Sequence, residues 1–189
     1  DPARVKLQIP SDVVLPFGGL NIRLADTPQE QEARLHDHKI SAAQAYARAN
    51  ALDRRVHGTA SARVGLVSSG KSWLDTAHAL EMMGLNTASL AQMGVTTYKV
   101  GLVWPLDQQS FQDWAKGLDT IIVVEEKRPI LEPQIREAAT QETVIIGSKD
   151  ANGDVLFPSK MDLDPVKIAL GLARALGLSG LDMSMKHPK

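Results

Sequence analysis

The sequence contains no cysteine. That excludes disulfides, thiolate catalysis, and any iron–sulfur or zinc–thiolate site held by these residues, and it fits a reducing, cytoplasmic setting. Aromatics are scarce at 4%, so aliphatic side chains must fill whatever core forms. Neither sign of charge dominates: the net charge is -1. A balanced surface gathers neither phosphate backbones nor anionic lipid, so nucleic acid and membrane are not expected partners. No apolar run approaches the roughly 20 residues of a membrane span, and nothing reads as a signal peptide. Internal repeats and low-complexity segments are also absent. What is present is an ordinary globular composition, 43% hydrophobic and 23% charged, over 189 residues, which suits one compact body plus an appendage. The chain opens on Asp1 and reads as a piece cut from a longer protein.

Residues 1–26 carry Pro2, Pro10, Pro16 and the pair Gly18-Gly19 without periodicity, which predicts an extended connector. Thr27-Pro28-Gln29-Glu30 places a capping residue, a first-turn proline and a reciprocal Glu together, so a helix is expected over about 28–52, weakest near Ser41. After Gly58 strands and helices alternate. Strands are expected at Arg63–Val67, Thr97–Leu102, Thr120–Val124 and Val144–Ile146. The apolar run Thr120–Val124 suits a central parallel strand covered on both faces. Intervening helices carry Trp73, Leu74, Ala77 and Leu80; then Leu85 to Met93; then Phe111, Trp114 and Leu118, capped by Asp107; then Ile130, Leu131, Ile135 and Ala138, turned inward. Asn152-Gly153 predicts a hairpin returning Val155–Phe157 as an antiparallel edge, and Asp164-Pro165 caps a last helix through about Leu176. Alternation of this kind implies a three-layer α/β/α domain on a mainly parallel sheet. The expected organisation is a connector over 1–58, an α/β domain over 59–180 and a tail over 181–189.

One stretch promises nucleotide chemistry. Gly65-Leu66-Val67-Ser68-Ser69-Gly70-Lys71-Ser72 satisfies G-x-x-x-x-G-K-[ST] at every fixed position. A phosphate loop, however, needs its strand to end at the first glycine, and here Leu66 and Val67 read as strand interior. Only Ser68 to Lys71 remains as a turn, too short to encircle a phosphate chain. A few N–H groups at Ser69, Gly70 and Lys71 could still serve a small anion or a coenzyme A phosphate at the next helix. In favour of a nucleotide, Glu125 ends an apolar strand as a Mg²⁺-holding acid would, so an autonomous nucleotide-binding protein using Lys71 and Glu125 stays open. Glu125, Glu126, Lys127 and Arg128 follow the central strand, where open parallel sheets place functional loops. They read either as a solvated charge run or as a contact with another domain.

Other chemistry is thin. His36 and His38 stand about 200° apart on a helix and cannot share a metal. His57, His78 and His187 have no ligand-type neighbours in sequence. The G-x-S-x-G elbow is absent around Ser68 and Ser69. Trp104-Pro105 reads as packing at the sheet edge or, if exposed, as an interface anchor.

Taken together, Ser69-Gly70-Lys71, the run Val100 to Leu106, and above all Val123-Val124-Glu125-Glu126-Lys127-Arg128-Pro129 resemble indolepyruvate ferredoxin oxidoreductases. The upstream runs Pro16 to Arg23 and Asp26 to Leu35 resemble the connector of the long, fused bacterial members. The resemblance implies a parent enzyme that uses thiamine diphosphate, Mg²⁺ and iron–sulfur clusters to decarboxylate an arylpyruvate oxidatively, with coenzyme A as co-substrate and ferredoxin as acceptor. It implies that this chain is the domain with the transketolase C-terminal-domain fold, a mainly parallel sheet with one antiparallel edge strand. The diphosphate motif of the family, G-D-G followed by a metal-binding Asn, is missing here, as are cluster cysteines. No catalytic, cofactor or metal residue is therefore expected in this chain. Its expected role is contact with other domains of the same polypeptide and a partner subunit, through Ser69, Gly70, Lys71, Trp104, Glu125, Glu126, Lys127 and Arg128.

Overall fold

A computed structural model describes residues 6–178. The expected tail 181–189 and His187 lie outside the described residues. An extended segment leads to Thr27, which caps α1 (Pro28–Arg34) with the full reciprocal arrangement: its hydroxyl accepts from Glu30 N, and Glu30 accepts from Thr27 N at 2.7 Å. The helix then widens into a π-helical turn, Leu35–Lys39, before continuing as α2 (Ile40–Ala49). The irregularity thus lies in the turn just before Ser41.

Thirteen elements follow the order α1, the π turn, α2, β1 (Arg54–His57), β2 (Val64–Ser69), α3 (Gly70–Met82), α4 (Thr87–Gln92), β3 (Val95–Val100), α5 (Gln108–Ala115), β4 (Thr120–Val124), α6 (Leu131–Ala138), β5 (Val144–Ile146) and α7 (Pro165–Ala175). The strands make one sheet in the order β1-β3-β2-β4-β5. β2, β3, β4 and β5 run parallel, and β1 alone is antiparallel, to β3. One antiparallel edge strand was expected, but it is Arg54–His57 and not Val155–Phe157. The latter contributes a single bridge, Lys149 to Val155, with Leu156 N and Phe157 N both donating to Ser148 O, and buries Leu156 and Phe157 in the layer with α7 without adding a strand to the sheet. The sheet accordingly begins inside the stretch read above as connector.

Alternation along β4 shows the three layers directly. Ile122 and Val124 join Leu66, Leu80, Leu90, Ile168 and Leu172 beneath α3, α4 and α7. Ile121 and Val123, one residue out of phase, join Val67, Phe111, Trp114, Leu131 and Ile135 beneath α5 and α6. Side chains two apart on a strand share a face, so a continuous apolar run must be covered on both sides. Tyr98, Phe111 and Trp114 cluster in the second layer, with Tyr98 and Trp114 stacked at 4.8 Å between ring centroids. Three of the few aromatics are thus concentrated where α5 meets the sheet. Among the described residues no helix is long and apolar enough to cross a membrane.

Candidate functional site: the carboxyl edge of the sheet

The sequence motif resolves first. β2 continues through Ser69, and α3 begins at Gly70 with no intervening loop. Ser68, expected in a turn, is instead a buried strand residue paired with Lys99 and Val124. Gly65, the first glycine of the pattern, is mid-strand, where a Cβ would sit 2.4 Å from the Trp114 ring. Its glycine identity is explained by close packing of α5 on the sheet and not by a phosphate. Gly70 adopts φ +51, so the chain turns from strand to helix in one residue. Ser69 makes no side-chain cap to α3.

Lys71 is exposed but paired. Its ammonium lies 2.7 Å from Asp75 Oδ2 and 3.2 Å from Glu126 Oε2, and it donates to Leu163 O at 3.4 Å. The hydrogen bond to Asp75, followed by the one to Glu126, holds the ammonium pKa above its ordinary value. Glu126 in turn accepts from Leu163 N at 3.3 Å, and this bond, with Lys71 behind it, holds its carboxyl below the usual range. Glu126 therefore ties the end of β4 to both α3 and the approach to α7.

Glu125 points the other way. Its Oε1 accepts from Ile130 N and Leu131 N, each at 2.9 Å, and Oε2 accepts from Leu131 N at 3.1 Å and Glu132 N at 3.2 Å. The carboxylate thus caps the first turn of α6 from five residues upstream, meeting orphan N–H donors and the positive end of the helix dipole. An acid so engaged is not presented to a metal. Lys127 sits at φ +68 and donates its ammonium to Met161 O. Arg128 is exposed and forms no ion pair among the described residues.

The Trp104 loop lies between the ends of β3 and α5. Trp104-Pro105 is a cis peptide and Trp104 is 56% exposed. Residues the sequence reading passed over hold this loop. Asp53 Oδ1 accepts from Gly101 N at 2.7 Å and Leu102 N at 3.0 Å. Gln134 Oε1 accepts from Leu106 N at 2.9 Å while its Nε2 donates to Val103 O and Ile130 O. Gln44 of α2 donates to Leu106 O at 2.8 Å, and Arg48 pairs with the buried Asp107. Asp107 occupies the cap position of α5, but its carboxylate makes no cap bond; it accepts from Arg48 and Ser110 instead. Burial pushes the Asp53 carboxyl pKa up, against the two backbone donors. Ile130, expected to turn inward on a helix opened by Pro129, is 56% exposed because α6 starts two residues later, at Leu131.

The structure thus joins Lys71 and Lys127 to Glu126, and through Gln134 it joins the Trp104 loop to Ile130, two residues after the exposed Arg128, while Glu125 serves α6. The histidines remain apart. His57 Nδ1 lies 3.0 Å from Thr87 Oγ1, and His36 and His38 fall in the π turn. Among the described residues no group of three His, Asp or Glu could hold a metal ion. With the exposed Lys71 paired to Asp75 and Glu126 and Glu125 capping α6, these residues do not fit a bound thiamine diphosphate and its metal.

The family described as "Indolepyruvate oxidoreductase domain" matches residues 54–186, starting at β1. The "Indolepyruvate oxidoreductase subunit IorA" of Pyrococcus abyssi is 24% identical over 123 residues, 65% of this chain and 17% of the relative. Its counterpart from Pyrococcus horikoshii is 23% identical over the same shares. The chain spans about a sixth of the length of these curated relatives. Among solved structures, the 2-oxoglutarate:ferredoxin oxidoreductase from Magnetococcus marinus superposes with a TM-score of 0.51 at 16% identity, covering 79% of this chain and 24% of that one, which shows a shared fold. The chain belongs to the indolepyruvate oxidoreductase domain family.

Proposed function

We propose that this chain is a non-catalytic interaction domain of an indolepyruvate, or similar 2-oxoacid, ferredoxin oxidoreductase. The observation that carries this reading is the apolar surface of the extended N-terminal segment. Ile9, Val14, Phe17 and Leu24 are each at least 89% exposed, beside a groove of about 390 Å³ lined by Ile9, Val13, Leu15, Leu20, Ala42 and Tyr46. Apolar patches of this kind mark surfaces that a larger assembly covers. Other domains of the same polypeptide and a partner subunit are the coverings this reading calls for, and a cytoplasmic location goes with it. The parent enzyme would bind thiamine diphosphate, Mg²⁺, iron–sulfur clusters and coenzyme A on its other domains and deliver electrons to ferredoxin. Of these, thiamine diphosphate supplies the carbanion chemistry of decarboxylation when bound. This chain's own residues build and stiffen the sheet edge and supply no reacting group.

The test is turnover of indolepyruvate with thiamine diphosphate, Mg²⁺, coenzyme A and a viologen acceptor. The full-length polypeptide is expected to reduce the acceptor, and this chain alone to reduce none. Turnover by this chain alone would contradict the reading.

A further inference from the structure

Two loops at the carboxyl edge share one rigid frame. A single amide, Gln134 Nε2, donates to Val103 O at 2.9 Å and to Ile130 O at 2.8 Å, so the Trp104 loop and the entry to α6 are stitched side by side. Asp53 fixes the first loop through Gly101 N and Leu102 N, and Glu125 fixes the second through Ile130 N and Leu131 N. The backbone on both sides is therefore pinned. Yet Trp104 and Ile130 are each 56% exposed, and Arg128, exposed two residues before Ile130, has no ion-pair partner among the described residues. Its neighbours differ: Glu125 and Glu126 are turned inward, and the Lys127 ammonium is engaged by Met161 O.

A fold that spends seven hydrogen bonds within and around these loops does not need Trp104 or Ile130 in water for its own stability. Trp and Arg on a preordered backbone are the residue types that carry most binding energy at protein interfaces, because little freedom remains to be lost. We propose that Trp104, Ile130 and Arg128 form a preorganised docking surface for another domain of the same polypeptide. Its facing surface carries an apolar pocket for Trp104 and a carboxylate for Arg128. The carboxylate follows from charge complementarity, since Arg128 is exposed and forms no ion pair among the described residues. The choice of the same polypeptide follows from the matched relatives, of which this domain makes up only 17%. This inference rests on the interaction-domain reading above and narrows it to three side chains and one occupant.

Hydroxyl-radical footprinting with mass spectrometry tests it, comparing this chain with the full-length polypeptide that carries it. Trp104 and Ile130 are expected to lose reactivity several-fold in the full-length protein, at every concentration, while buried Trp114 is protected in both. If Phe17 is protected but Trp104 stays reactive, the docking surface is wrong and the interaction-domain reading survives. If both stay reactive, both fail. Protection that vanishes on dilution would assign the surface to a second subunit and overturn the choice of occupant.

Discussion

Replacing Glu125 by Ala separates the two roles this residue has been given. As the cap of α6, the carboxylate satisfies the N–H groups of Ile130, Leu131 and Glu132, and Leu131 is fully buried. Losing a helix cap costs about 0.5–2 kcal/mol. Leaving the buried Leu131 donor without a partner adds about 1–3 kcal/mol, although water can reach the exposed Ile130 N–H and recover part of it. A net loss of about 2–3 kcal/mol is expected, which for a chain of this size lowers the melting temperature by roughly 5–10 °C. Glu125→Gln keeps an acceptor and loses mainly the interaction of charge with the helix dipole, so its cost should be about 1 kcal/mol or less. Differential scanning calorimetry of both variants at neutral pH and low salt measures the pair. A metal-binding acid in an open site predicts the reverse, since removing an uncompensated carboxylate relieves repulsion. Wild-type stability in Glu125→Ala, or a gain, would refute the cap and reopen the nucleotide reading.

Four further outcomes follow from named contacts. Arg48→Ala leaves the buried Asp107 carboxylate with only Ser110 beside it and should cost about 3 kcal/mol in urea unfolding, showing that α2 is part of the folded unit; a change under about 0.5 kcal/mol would contradict this. Gly65→Ala drives a methyl into Trp114 and Leu118 and should destabilise by about 2 kcal/mol with altered tryptophan fluorescence, whereas a phosphate-loop glycine would leave Trp114 unmoved. Glu126→Gln should be less stable than wild type at pH 7, with the difference closing as pH falls below about 4, in melts followed by circular dichroism. The sign follows from a carboxyl held low in the folded state by Leu163 N and Lys71: its contribution is complete above the unfolded pKa and lost as acid reaches the folded one. Asp53, held high by burial, works oppositely, so Asp53→Asn should remove a gain in stability on acidification.

Much of the fold could be read from periodicity. The run Ile121 to Val124 demanded cover on both faces, and the caps at Thr27 and Asp164 were local chemistry written in three or four adjacent residues. The antiparallel edge could not be placed in this way. Arg54-Arg55-Val56-His57 carries little hydrophobic pattern because an edge strand outside the layers needs little, while Asn152-Gly153 offers a hairpin turn whose partner strand never forms. The site divided along the same line. That Gly65 to Ser72 lacks the strand-ending glycine and loop of a phosphate-binding turn was legible from Leu66 and Val67 alone. The partners of the charged loop were not, because Leu163, Met161 and Gln134 approach through tertiary contacts with no fixed sequence offset. Asp53 and Arg48 were missed for the same reason: each acts about 50 or more residues away in the chain, on loops whose position only the sheet determines.

A carboxyl edge that is structural, and not a ligand site of its own, binds no nucleotide. Isothermal titration of this chain with Mg²⁺–ATP, alongside Lys71→Ala, tests that directly. No saturable heat at millimolar nucleotide is predicted for either protein, because Lys71 is committed to Asp75 and Glu126 and Glu125 to α6. Saturable binding abolished by Lys71→Ala would contradict it and make Gly65 to Ser72 a working phosphate loop.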